Sequence, residues 1–264
     1  MQKVPELVSD FNSAPRLAIV ALETRVAELE AALAARDIFI ATAAHELRNP
    51  MTPVIGMVEA TLAAARAGTC KPEQLVYRLE LIQQSVSHFW RRAEVVLNVA
   101  RINAGNLQLD SEPVDLTTLM GEVVEAFAGV ARRSSVHVTL VVAPGLAGSW
   151  DRMALGQILE NLLSNALKYG DRTPIKLTAE IEGAHLRLAV RDHGKGLPAA
   201  DREKLFGRFE RAIGRGEGGG FGVGLWLVRQ LAEAMGGNVQ VADAPGGGAL
   251  FTVTLPLQMR KSIP

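Results

Sequence analysis

The sequence holds a single cysteine in 264 residues, Cys70. No internal disulfide can form, and a reducing compartment fits. Nothing near Cys70 marks it as a nucleophile, so it reads as a small residue in a loop. Net charge is missing too: Lys and Arg total 28, as do Asp and Glu. That balance provides no global field to draw the chain to nucleic acid or anionic lipid. No apolar run reaches the ~18–20 residues that a spanning helix needs, and residues 1–16 lack the pattern of a secretory signal. The expectation is a soluble, cytoplasmic protein with no membrane span and no nucleic-acid partner. An internal repeat is absent, and so is a GxxxxGK[ST] phosphate loop.

Glycine and proline are also absent from 16 to 49, where apolar residues recur at three- and four-residue steps. Ile19, Leu22, Val26, Leu29, Leu33, Ile40, Ala43 and Leu47 form the stripe, and only Arg36 interrupts it. This spacing predicts a coiled-coil or bundle helix. Pro50 and Pro53 should kink that helix rather than end it, because Val54, Met57 and Leu62 resume the period. Residues 67–71 read as a turn, with Pro72 early in the next helix. A second seam follows through Leu75, Leu79, Ile82, Val86, Phe89, Ala93, Val96 and Ala100. Two long helices joined by a short turn make an antiparallel hairpin. One hairpin cannot cover both of its apolar faces, so two should pair into a four-helix bundle. A homodimer through residues 17–104 is therefore expected, preceded by a loose leader at 1–16.

Residues 105–114 break the period and read as a linker. From Asp115, a good helix cap, the pattern becomes mixed α/β through residue 258, with a tail at 259–264. Helices are expected over 116–131, 151–168 and 223–235. Strands are expected over 136–142, 174–182, 185–191, 238–242 and 249–256, where alternation and β-branched residues recur.

Four short motifs carry chemistry. His45 lies about 200° round its helix from Ala43 and Leu47, so it points away from the seam. A lone surface histidine is usually only solvated. Here Glu46 is adjacent and could fix the ring tautomer, while Asn49, one turn on, could orient water or a phosphoryl oxygen. Asn161 and Asn165 share one helix face with Lys168 beyond them, a neutral hard donor set suited to Mg2+ carrying phosphates. Asp192 closes a strand before Gly194 and Gly196; its carboxylate could accept the exocyclic amine of adenine, although Asp and Gly also favour an ordinary turn. Gly220, Gly222 and Gly224 precede the apolar helix that starts at Leu225, whose free N–H groups could bind phosphates. Each motif alone has a bland explanation. In this order they point to phosphoryl transfer from a nucleotide to a histidine.

Taken together, residues 17–257 resemble a sensor histidine kinase of two-component signalling. His45-Glu46-Leu47-Arg48-Asn49-Pro50 is similar to that family's H box, Asp151 to Tyr169 to its N box, and Asp192-x-Gly194-x-Gly196 to its G1 box. Leu205-Phe206-Gly207-Arg208-Phe209 is similar to its F box, and Gly220 to Leu225 to its G2 box. The resemblance implies a dimerisation and histidine-phosphotransfer hairpin followed by a Bergerat-type α/β sandwich that binds ATP under a lid at 197–222. His45 would be the phosphoacceptor and Glu46 its orienting base. Asn165, assisted by Asn161, would hold Mg2+. Lys168 and Arg208 would meet phosphates, Tyr169 would lie against adenine, and Asp192 would read its amine. The partner would be a response regulator receiver domain.

Asn49 stands at a position linked in that family to phosphatase activity, which suggests a bifunctional enzyme whose Asn49→Ala variant slows regulator dephosphorylation and spares autophosphorylation. His193 replaces the usual asparagine of the G1 box, Val223 a common leucine, and Trp226 a smaller residue. His88, His137, His185 and His193 read as structural or solvated, and Trp90, Trp150 and Trp226 as packing residues. Two rival readings are a degenerate ATP-binding scaffold and a serine-directed kinase of the same ATPase fold. The short leader leaves no room for a sensory domain, so the signal would come from a separate sensor protein unless the chain is cut from a longer one.

Overall fold

The computed structural model describes residues 13–69, 71–198, 202–207 and 223–258. Helix α1 spans Ser13–Arg66 and runs through Pro50 and Pro53 without a break. It therefore starts inside the stretch read as leader. The two prolines remove the helical donors for the carbonyls of Glu46 and Asn49, and the apolar spacing beyond them keeps the helix going. Gly68, at φ 70°, ends it; the Thr69 N–H reaches back to the Ala64 carbonyl at 3.0 Å. Helix α2, Pro72–Asn103, begins with proline at its first position, where the missing N–H costs nothing. Its end repeats the same device, with Gly105 at φ 68° and the Asn106 N–H on the Arg101 carbonyl.

The hairpin buries Ala43 and Val54 of α1 and Val95 and Val99 of α2. Its expected α2 seam is not buried as a line: Leu79 and Val86 are exposed, while Val95 and Val99 are covered. The period was right, but α2 has two neighbours. Val95 and Val99 belong to one core with the second domain, and spacing cannot say which stripe meets which neighbour. Trp90 is likewise no packing residue in one chain, at 64% exposure. Along the first half of α1, Ile19, Leu22, Val26, Leu29 and Leu33 are 50–65% exposed.

The second domain opens with strand β1, Glu112–Asp115, which pairs antiparallel with β3, Ala147–Trp150. The last part of the expected linker is thus a strand, and β3 had no expectation at all. Asp115 caps helix α3, Leu116–Arg133, by accepting the Thr118 N–H at 3.1 Å. Asp151 caps α4, Arg152–Tyr169, in the same way through Ala154. Strands β2 (Val138–Val142), β4 (Ile175–Glu182), β5 (His185–Arg191), β6 (Asn238–Asp243) and β7 (Ala249–Pro256) form one sheet in the order β2-β4-β5-β7-β6. Only β2 and β4 run parallel. Alternate residues turn to the helices: Leu186, Leu188 and Val190 of β5 pair with Leu255, Val253 and Phe251 of β7, all buried. Helices α3, α4 and α5 (Gly224–Ala234) pack with this sheet, α4 between the other two. The fold is a helical hairpin followed by an α/β sandwich.

Candidate functional site

His45 is exposed on α1 while Ala43 is buried, as the helical angle required. Its Nδ1 lies 3.2 Å from Nδ2 of Asn49, one turn on. A contact at Nδ1 turns the ring so that Nε2 is the nitrogen directed away from Asn49. Asn49 was expected to orient water or a phosphoryl oxygen; the contact instead engages the histidine itself. The i, i+4 spacing was the available signal. The side chain of Glu46 lies outside the described residues.

The second constellation forms where β5 ends against the C-terminus of α4. Asp192 is the buried charged residue of the described chain, at 6% exposure. Its Oδ1 accepts the N–H of Gly194 at 2.9 Å and that of Ala249 at 3.0 Å. Both bonds fall on one oxygen, so Oδ2 is the one that can accept an amine. Gly194 has no room for a side chain: a Cβ there would lie 2.9 Å from the Tyr169 carbonyl oxygen and 3.0 Å from Gly170 Cα. That close approach sets Asp192 beside the end of the helix carrying Asn161, Asn165, Lys168 and Tyr169. Lys168 Nζ sits 5.1 Å from the centre of the Tyr169 ring.

Asn161 donates its amide to the Gln157 carbonyl at 2.7 Å. Its Oδ1 faces Gly224 at the start of α5, where a Cβ would come within 2.9 Å of it. Only that oxygen can serve as a ligand, and it points at the N-terminus of a helix. Leu225 is half-buried in the first turn of α5. Val223, in place of a leucine, is fully buried. Of the remaining expected residues, Gly196 lies in the loop after Gly194 at φ 67°. Arg208, Gly220 and Gly222 lie outside the described residues, as does most of the expected lid.

His193 has a structural role. Its N–H donates to Thr173 Oγ1 at 3.1 Å, and its Nδ1 donates to the Pro174 carbonyl at 3.0 Å, tying this loop to the one after α4. Trp150 is fully buried and donates Nε1–H to the Pro256 carbonyl. The run Gly246-Gly247-Gly248 is the hairpin turn between β6 and β7 that glycines between two strands suggest, but nothing in the sequence shows that Gly248 lies against Asp192.

Among the described residues no cluster of His, Cys, Asp or Glu could hold a metal ion. Asn161 and Asn165 offer neutral amide oxygens, a donor type that suits a hard cation. The two domains also meet through polar groups. Arg91 of α2 lies 5.3 Å over the Phe127 ring, and Arg133 donates to Gln84 at 3.2 Å. Burial pushes the Glu160 carboxyl up, and the Arg91 charge pulls it back.

Comparison with known proteins assigns both halves. Residues 35–105 match the His Kinase A (phospho-acceptor) domain, and residues 150–259 match the Histidine kinase-, DNA gyrase B-, and HSP90-like ATPase domain. The chain belongs to the histidine kinase family of two-component systems: it carries that family's phospho-acceptor domain followed by its ATP-binding domain. It is 33% identical over 227 residues to the sensor histidine kinase TmoS of Ectopseudomonas mendocina, covering 84% of this chain and 23% of that protein. It is 32% identical over 241 residues to the virulence sensor protein BvgS of Bordetella bronchiseptica, covering 87% of this chain and 19% of that one. The chain thus spans about a fifth of the length of these relatives. Among solved structures, full-length ShkA in complex with AMPPNP matches with a TM-score of 0.59 at 31% identity, over 83% of this chain and 46% of that one. The Acinetobacter baumannii kinase AdeS shares the fold, with a TM-score of 0.55 at 23% identity over 81% of this chain and 98% of its own. No helix among the described residues is long and apolar enough to cross a membrane.

Proposed function

We propose that this chain phosphorylates His45 from ATP and Mg2+, then passes the phosphoryl group to an aspartate of a response regulator receiver domain. Bound ATP would supply the γ-phosphoryl group, with Mg2+ neutralising phosphate charge. Oδ2 of Asp192 would accept the adenine amine, and Tyr169 would lie against the ring. Oxygens of Asn165 and Asn161 would face the metal, and Lys168 and Arg208 the phosphates. Gly220, Gly222, Gly224 and Leu225 would present backbone N–H groups. Glu46, as the neighbouring base, would hold the proton on Nδ1 of His45, the ring nitrogen that Asn49 lies against, so that the lone pair of Nε2 attacks the γ-phosphoryl group and ADP leaves. Catalysis would then rest on position and charge neutralisation.

The observation that carries this reading is Asp192. A buried carboxylate that spends one oxygen on two backbone N–H groups holds the other in a fixed direction. The exposed apolar stripes of α1 and α2 support a homodimer, since a second hairpin would cover them. A cytoplasmic site of action, with helix 17–40 as the route by which the signal arrives, completes the proposal.

The test is transfer. The labelled phosphoprotein, mixed with a receiver domain, should lose its label to that domain. A receiver lacking its acceptor aspartate should take none. Label that stays on the kinase with every receiver tried would reject the two-component role. Dephosphorylation of a phosphorylated receiver, slowed by Asn49→Ala, would establish the phosphatase activity. Because Asn49 touches His45, that variant should now also alter autophosphorylation, rather than spare it.

A further inference from the structure

The turn between β6 and β7, residues 244–248, is fastened to the Asp192 loop from both sides. On one side the Asp192 N–H donates to the Ala249 carbonyl at 3.0 Å while Ala249 N–H returns to Asp192 Oδ1. Arg191 donates to the Pro245 carbonyl. Gly248, at φ 94°, lies so close that a Cβ would overlap the Asp192 carbonyl oxygen. On the other side stands Arg202. Its Nη2 donates to Asp243 Oδ2 at the end of β6, and its Nε and Nη2 reach the Leu197 carbonyl at 3.4 and 3.3 Å. One guanidinium thereby joins the segment after Gly196 to the sheet. The Cβ position of Gly196 in turn faces the Gly248 carbonyl at 3.4 Å and Asp243 Oδ1 at 3.7 Å.

We propose that Arg202 and Asp243 are a positioning pair for nucleotide binding. They clamp Gly196 and Leu197 against the β6–β7 turn, so that the loop beginning at Asp192 keeps the shape that receives the base. The proposal rests on reading Asp192 as the acceptor of the base amine. The pair would act through the loop rather than by contact with nucleotide. A surface ion pair alone contributes little. This one differs because the planar guanidinium bonds two separate elements at once, in a fixed geometry that lysine reproduces only in part and glutamine, which is neutral and shorter, does not. Without it, Gly196 and Leu197 lose the guanidinium that joins them to the end of β6, and the lost order must be recovered when nucleotide binds.

The test is titration of the full chain with ADP and Mg2+, alongside autophosphorylation kinetics. Arg202→Gln and Asp243→Asn should each weaken binding roughly threefold to tenfold, the scale of one partly exposed charge-assisted hydrogen bond. The double variant should be no weaker than either single one, and Arg202→Lys should recover part of the loss. KM for ATP should rise while the rate at saturation holds. Unchanged binding in Arg202→Gln would overturn the proposal, and so would effects that multiply in the double variant. Equal falls in kcat and Tm would assign the pair to general stability and reject it too. Failure of the wild type to bind ADP would instead sink the nucleotide reading, and the pair with it.

Discussion

Replacing Asp192 with asparagine changes the oxygen assigned to the base amine, Oδ2, and little else. The side chain is 6% exposed, and Oδ1 carries its two bonds from Gly194 and Ala249. An asparagine can keep both by turning its oxygen inward, so the strand end and the glycine loop should survive. Its amide nitrogen then points where Oδ2 was, and a donor meets the donor of adenine. A hydrogen bond to a charged partner contributes about 1.5–3 kcal/mol, so ATP affinity should fall about 10- to 150-fold. A base with a carbonyl at that ring position, as in inosine triphosphate, should lose far less, because it presents an acceptor. Calorimetric titration of both nucleotides, with a melting curve for each protein, gives the answer. Equal ATP affinity in the two proteins, or equal losses for ATP and inosine triphosphate, would refute the assignment.

Further expectations follow from packing and charge. Gly194→Ala should abolish tight nucleotide binding, since its Cβ would sit 2.9 Å from the Tyr169 carbonyl oxygen. Gly121→Ala, in α3 with nothing within 4 Å of the Cβ, should raise stability by about 0.5–1 kcal/mol. Equal nucleotide affinity in both variants would contradict the close approach. Val99→Ala removes a fully buried side chain shared by the two domains and should cost about 2 kcal/mol, read as a lower Tm; an unchanged Tm would mean that the shared core adds no stability. Glu160 has a raised carboxyl pKa, mainly through burial and against the pull of Arg91, so the folded chain holds that proton more tightly than the unfolded one. Its contribution therefore favours folding at low pH and is lost as pH climbs through the raised value. The Tm of wild type minus that of Glu160→Gln should fall as pH rises above the ordinary carboxylate range, and a difference that grows with pH would contradict the cause.

Much of the architecture was legible because local chemistry and periodicity agreed. Asp115 and Asp151 cap the helices that follow them, and β7 alternates buried and half-buried along its whole length. The short strands β1 and β3 were not legible. Each is four residues long, carries Pro113 or Gly148, and is made a strand by its partner rather than by its own propensity. The α2 seam showed another limit: three/four spacing identifies an apolar helix, but Val95 and Val99 meet the ATPase core while Leu79 and Val86 stay exposed. The histidine helix and the Asp192 loop could be found from residue types in order. That Asn49 would contact His45, and that the glycine turn would brace Asp192, depended on contacts that no spacing displays.

The measurement closest to the central claim is autophosphorylation with γ-labelled ATP and Mg2+, comparing wild type with His45→Gln. The account predicts label that is acid-labile, alkali-stable and absent from the variant. Acid-stable label that persists in His45→Gln would contradict it and favour a serine-directed kinase of the same fold. No label in either protein, with ATP still bound, would contradict it as well and leave a nucleotide-binding scaffold.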